Sequence, residues 1–219
     1  MADFEEIILM EQVRVYLRPF SLYYPDIDNW FRKVRLEAIS GRRRILALCL
    51  GGHIIGLAIT RPNEKAKLCH FSLSPSSRGL GLGLAFMKLA MRDLLLSGTR
   101  AVHVTASDEV AESYGGFFNR CGFDLSACIR NCYRRGSDEL IYTATLESLN
   151  TYLFSNVVFE EAQHDNCIWS SFGKIDLKLI PNRSEAGLIR VDVLQCDSTW
   201  SSGEYLPEAR YNDIRSYID

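Results

Sequence analysis

The chain has 219 residues, 47% of them apolar and 24% charged, with a formal net charge of −2. These are the proportions of an ordinary globular protein, long enough for one well-packed domain, or one domain with a sizeable extension. The near-neutral charge gives no global pull toward nucleic acid or an anionic membrane. No apolar run approaches the roughly 18–20 residues needed to cross a bilayer.

The first residues, MADFEEIILMEQ, are acidic ahead of a short apolar run. That is unlike a secretory signal peptide and predicts a cytoplasmic protein. Residues 4–18 are rich in β-branched and apolar side chains and predict a first strand. Asp26 or Asp28 then suits the cap of a helix within 20–40, whose Trp30, Phe31, Val34, Leu36 and Ile39 partly follow helical spacing. Gly41 ends it. Strands over 44–50 and 53–61 are joined by Gly51-Gly52, a strong hairpin signal because a type I′ turn needs positive φ at both centres. A turn at 62–65 leads to a third strand over 67–73, completing an antiparallel meander.

The next stretch organises the chain. Residues 68–84 read LCHFSLSPSSRGLGLGL: a strand stopped by Pro75-Ser76-Ser77, then Arg78, Gly79, Gly81 and Gly83, then an apolar-periodic helix. A strand, a glycine-rich turn and a helix N-terminus aim free backbone N–H groups and the positive helix end at one point, which makes an anion site. Glycine is needed where a Cβ would keep the anion from the backbone. Three antiparallel strands ahead of the loop differ from the dinucleotide fold, whose loop follows the first strand of a parallel unit. That disfavours NAD.

The helix predicted from Leu84 to Ser97 puts Leu84, Met87, Met91, Leu94 and Leu95 on its core stripe. Gly98 stops it. A strand over 100–106 and a helix over 108–120 follow, the latter capped by an Asp and carrying Gly115-Gly116, which mark a bend or close packing. Strands over 123–131 and 140–146 end this unit. Beyond it, residues 174–180 and 188–194 alternate strictly and predict a second hairpin. Seven cysteines show no repeated spacing. They read as reduced, mostly buried thiols rather than a zinc site.

The order Leu73-x-Pro75 followed by Arg78, Gly81 and Gly83 resembles the acyl-CoA pyrophosphate loop, Q/R-x-x-G-x-G/A, of the GNAT superfamily of N-acetyltransferases. Phe118 to Phe123 resembles a second segment of that family, Y-x-x-x-G-F, with Gly122 and Phe123 matching. The likeness covers roughly residues 5–147. It implies an α/β (α+β) fold, with a mixed, mostly antiparallel central sheet flanked by helices. Residues 1–147 would form the acyltransferase domain, and 148–219 a C-terminal β-rich extension that extends the sheet, forms a dimer surface or closes over the acceptor site.

The resemblance also implies acetyl-CoA as cosubstrate and an amine as acceptor: a small molecule, a protein or an aminoacyl group. Arg78, Gly79, Leu80, Gly81, Leu82 and Gly83 would hold the pyrophosphate. The backbone of Phe71 and Leu73 would pair with the pantetheine arm in a slot where this strand and the next splay apart. The sequence departs from the pattern in two places. Phe118 stands where the family often has an acidic tyrosine, and Ala111 where it often has an asparagine. Tyr114, one turn before Phe118, is then the candidate proton donor, with Ser107 a polar contact for CoA. His70 is the candidate base, because a histidine titrates near working pH; His103 is a second option.

Two other readings stay open. One is a CoA-binding module without turnover. The other is acylation linked to tRNA or a nucleobase, resting on Arg42-Arg43-Arg44 and on Arg130 with Arg134-Arg135. It requires both clusters to share the cleft's face.

Overall fold

The chain opens with a helix where the sequence predicts a strand. In a computed structural model, α1 spans Phe4–Leu17, and its buried positions are Met10, Val13 and Leu17. Spacings of three and four are helical, and this stripe overrides the β-branched composition. The structure describes residues 4–22, 26–63, 65–134, 136–154, 163–164, 167–172, 175–181 and 187–196. The helix α2 (Ile27–Ile39) starts at Asp26 and buries Ile27, Phe31, Val34 and Ala38. Leu36 and Ile39, expected in the core, are exposed.

The meander forms as predicted: β1 (Arg44–Leu50), β2 (His53–Arg61) and β3 (Ala66–Leu73), paired antiparallel. Gly51 and Gly52 have φ of 58° and 84°, the geometry a two-residue hairpin demands. Then come α3 (Leu82–Leu96), β4 (Ala101–Ser107), α4 (Asp108–Arg120), β5 (Asp124–Arg134) and β6 (Ser137–Thr145). A short helix not foreseen, α5 (Leu146–Tyr152), comes directly after. Its signal is faint: Thr145 and Ser148 cap each other reciprocally, with serine where a glutamate or glutamine usually completes that box.

In the extension, β7 (Gln163–His164), β8 (Cys167–Phe172), β9 (Ile175–Pro181) and β10 (Leu188–Cys196) continue one ten-stranded sheet, ordered β5-β6-β4-β3-β2-β1-β10-β9-β8-β7. The predicted hairpin is the antiparallel pair β9–β10. It docks through β10, which runs parallel to β1 from Ile45↔Leu188 to Cys49↔Asp192. The entry to β10 fits closely. Gly187 has φ of 62°, and a Cβ there would lie 2.7 Å from the Ala38 carbonyl oxygen and 2.8 Å from that of Arg43. The polar tail after Cys196 lies outside the described residues.

Two cores flank the sheet. On one face, α3 lays Phe86, Met87, Leu89 and Met91 against Leu46, Leu48, Val102 and Phe123. Leu149 and Leu153 of α5 and Ile175, Leu177 and Val191 of the extension join this core. On the other face, α1 and α2 cover Ile45, Ala47, Leu57 and Ile59. Cys49 and Cys121 are buried as expected, whereas Cys128 and Cys132 are exposed on the edge strand β5. No helix among the described residues is long and apolar enough to cross a membrane.

Candidate functional site

The central sheet opens at one place. β3 and β4 run parallel but pair only at Ala66↔Val102, Lys67↔His103 and Leu68↔Val104. Beyond Leu68, β3 stays on β2 as far as Leu73↔Gly56, while β4 stays on β6 as far as Ser107↔Glu139. The two strands therefore diverge, and the second half of β3 has one unpaired edge.

The ladder determines which backbone groups face that edge. The Ser74 amide donates to the Ile55 carbonyl at 2.8 Å, so these two form a hydrogen-bonded pair. Antiparallel pairs alternate, which makes Ser72 and Leu57 the next bonded pair. Phe71 and Leu73, opposite Ala58 and Gly56, then turn their N–H and C=O groups away from β2, into the opening. The positions expected to meet a pantetheine arm are the two whose backbone groups turn away from β2.

A bulge assigns the side chains. Ile59 pairs with His70 and Thr60 with Leu68, leaving Cys69 without a partner. One extra residue reverses the facing of the strand beyond it. Leu68, Phe71 and Leu73 all pack on the α3 side, whereas Cys69 packs on the α1–α2 side. His70 and Ser72 share Cys69's side, with Ile59. This accounts for the broken alternation in the sequence.

At the end of β3 the chain makes a single turn, Pro75–Ser77, and enters the glycine loop. Gly79 and Gly81 have φ of 77° and 80°, and Gly81 is the N-cap of α3. Left-handed backbone at both makes a Cβ strained there. The helix begins at Leu82, two residues before the expected start, so Leu84 falls on an exposed face rather than in the core. The amides of Gly81, Leu82 and Gly83 donate to no acceptor among the described residues, as the first turn of a helix leaves them. A Cβ at Gly83 would touch Leu73 at 3.4 Å and Phe117 at 3.5 Å, so this glycine keeps the helix close to the slot.

Arg78 reaches across the opening. Its Nε donates to the Leu73 carbonyl at 3.2 Å and its Nη1 to the Tyr114 hydroxyl at 3.0 Å. The guanidinium carbon lies 5.7 Å from the Tyr114 ring centre. The candidate proton donor is thus exposed, at the mouth of the slot and beside a fixed cation. Ser107, at the far lip where β4 meets α4, has a buried hydroxyl with no hydrogen-bond partner among the described residues. Phe118 is packed in an aromatic group with Phe117, Phe123 and Tyr142. Gly115 makes room there: a Cβ would stand 2.9 Å from the Tyr142 hydroxyl. Close packing, not a bend, explains it; Gly116 faces open space.

His70 lies on the opposite face. Its Nε2 is 2.8 Å from the Ser72 hydroxyl, which donates to the Tyr16 hydroxyl at 3.4 Å. The Phe20 ring meets it edge-on at 4.9 Å, with Trp30 at 6.4 Å. Burial pushes the imidazole down to about 4 and Tyr16 up to about 12, because each loses water around its charged form. Both are neutral at pH 7. His103 pairs with Lys67 at the closed end of the opening, away from the free edge. Burial first, then the charges of Lys67 and Arg61, lower its pKa.

Sequence reasoning missed Tyr16, Ser72, Phe20 and Phe117. Ser72 alone left a trace, standing two residues from His70. The arginine clusters do not meet. Arg42 to Arg44 lie at the start of β1, the sheet end opposite the glycine loop, whereas Arg130 lies at the loop's end. Arg43 is ion-paired with Glu37, and Arg44 with Asp93; Arg135 lies outside the described residues. The nucleic-acid reading loses its support.

The profile of the acetyltransferase (GNAT) family matches residues 8–123, more than half of the chain. The chain belongs to this family. Among solved structures, the aminoglycoside 6′-N-acetyltransferase of Enterococcus faecium is 14% identical, with 65% of this chain and 93% of that one covered at a TM-score of 0.52. This likeness is one of fold. An acetyltransferase of the family from Desulfovibrio desulfuricans is 26% identical over 42% of this chain, at a TM-score of 0.40; the chain spans 62% of its length. A family member from Elizabethkingia anophelis, solved with acetyl-CoA bound, is 12% identical over 44% of this chain and 71% of its own, at a TM-score of 0.40. No curated protein matches the chain significantly. The residues around the glycine loop fit an anionic group: left-handed glycines at 79 and 81, open amides at the start of α3, and the orphaned Ser107 hydroxyl.

Proposed function

We propose that this protein transfers the acetyl group of acetyl-CoA to an amine nitrogen by direct attack. The observation that carries the reading is the free edge of β3 at Phe71 and Leu73, running straight into the glycine loop. A ligand with an amide-bearing arm and a pyrophosphate at its end matches both parts at their observed order. The loop from Arg78 to Leu84 would hold the phosphates. The strand edge would orient the arm, as an added strand pairs with a sheet. A backbone N–H near Leu73 would polarise the thioester carbonyl.

Proton transfers are light work in this scheme. The amine enters neutral, attacks the acyl carbon, and loses a proton as the carbon–sulfur bond breaks. We assign the proton delivered to the departing sulfur to the Tyr114 hydroxyl. His70 stays neutral and weakly basic in its buried site. Its part is to receive the amine's proton through Ser72, with the Ser72 hydroxyl turned from Tyr16 to Nε2 and the ring proton on Nδ1, and not to strip an ammonium, whose pKa lies far above. Positioning supplies most of the rate.

Isothermal calorimetry with acetyl-CoA tests the cofactor reading: saturable binding is expected, and no binding at millimolar concentration overturns it. Thiol release against small amines, peptide N-termini and aminoacyl esters tests turnover and finds the acceptor. Phe118, packed among aromatics, and the buried Ala111 favour a second reading, a CoA-binding module without turnover. Steady CoA formation with any amine excludes it. A cytoplasmic setting and a homodimer complete the proposal as expectations, to be checked by fractionation and by sedimentation.

A further inference from the structure

The three loop glycines face three different surroundings. A Cβ at Gly79 would meet nothing within 4 Å, and one at Gly83 would meet Leu73 and Phe117 of the slot. At Gly81, the N-cap of α3, it would meet the Cδ1 of Ile175 at 3.2 Å. Ile175 belongs to β9, in the C-terminal extension, two strands beyond β1 in the sheet. It is buried, and with Leu177 and Val191 it enters the same core as Leu82 and Phe86.

We infer that Ile175 is a positioning residue for the glycine loop, so that the extension takes part in holding acetyl-CoA. The inference rests on the reading that this loop binds the pyrophosphate. Gly81 has no side chain with which to anchor itself, and its left-handed φ is the hinge on which α3 begins. A loop of this kind is conformationally free unless something packs against its underside. Ile175 fills that space. It is itself held firmly: β10 is paired along β1, Gly187 is locked against the end of α2, and Ile175 closes the β9–β10 ladder opposite Cys196. The underside of the anion loop is therefore built from the far end of the chain. The loop amides point at a fixed place only while the extension is docked.

The test compares Ile175→Ala with Leu177→Ala in the full chain. Leu177 is also buried on the same strand, but it is not among the neighbours of Gly79, Gly81 or Gly83. Both variants should lower the melting temperature by similar amounts. Ile175→Ala alone should raise the Kd and KM for acetyl-CoA by about tenfold with kcat within about twofold, and Ile175→Leu, which keeps a δ-carbon, should restore most of the affinity. Without any cofactor, exchange of the Leu84 and Ala85 amides, which donate to the Gly81 carbonyl, should quicken in Ile175→Ala and not in Leu177→Ala. Equal shifts in both variants, or an unchanged loop in Ile175→Ala, overturn the inference. If the wild-type protein bound no acetyl-CoA, the functional reading would fall, while the exchange comparison would still decide the role of Ile175.

Discussion

The two faces of β3 carry opposite kinds of residue. Toward α3 and α4 the strand offers Phe71 and Leu73, the Phe71 ring lying 5.4 Å from Phe86 and 5.7 Å from Phe117. Toward α1 and α2 it offers His70 and Ser72, joined to Tyr16 under Phe20. The single bulge at Cys69 creates the difference. The apolar face needs only shape and a free strand edge to seat an extended arm. The polar face has hydroxyls and an imidazole, the groups that hand protons along. Under the proposed function, one strand would separate cofactor binding from acceptor chemistry.

The largest expected effects test whether the faces are separable. Phe86→Ala and Phe31→Ala each remove a buried ring, one from each core, and each should cost about 3–5 kcal/mol in urea unfolding. Only Phe86→Ala, which unseats Phe71, should also weaken acetyl-CoA binding in calorimetry. Equal binding losses in both variants would mean that the faces are not independent.

A smaller effect probes the polar face through pH. The folded pKa of His70 is depressed to about 4 from an ordinary 6.5. Between these values the unfolded chain takes up a proton that the folded chain does not, so stability is lost as the pH falls from 6.5 toward 4. His70→Gln lacks this loss. Between pH 7.5 and pH 4.5, its unfolding free energy should fall by roughly 2–3 kcal/mol less than that of the wild type. Parallel pH profiles would show that His70 is not buried neutral.

The smallest effect concerns one oxygen. Tyr114→Phe removes the hydroxyl that accepts from Arg78 and should slow turnover about tenfold, leaving the acetyl-CoA Kd within about twofold. A loss in binding instead of turnover would make the hydroxyl a support for Arg78 and not a proton donor.

The glycine turns are legible in the sequence because their signals are local. Glycines at 51, 52, 79 and 81 stand where the backbone is left-handed, and such positions announce themselves by residue type. The β9–β10 hairpin is legible for the same reason, from strict alternation. The rest depends on what lies far away in the chain. The first helix reads as a strand by composition, and only the core it packs on settles its period. The bulge at Cys69 has no signature of its own, so the sequence leaves the face of His70 unassigned. That β10 runs beside β1, and that Ile175 supports Gly81, are matters of tertiary docking that no neighbouring residue encodes.

Amide hydrogen exchange with and without acetyl-CoA tests the slot most directly. Binding should protect residues 70–73 on the free edge of β3 and residues 79–84 of the loop, leaving β1 and α2 unchanged. Protection confined to α1 and α2, with β3 and the loop exchanging as before, would contradict the account.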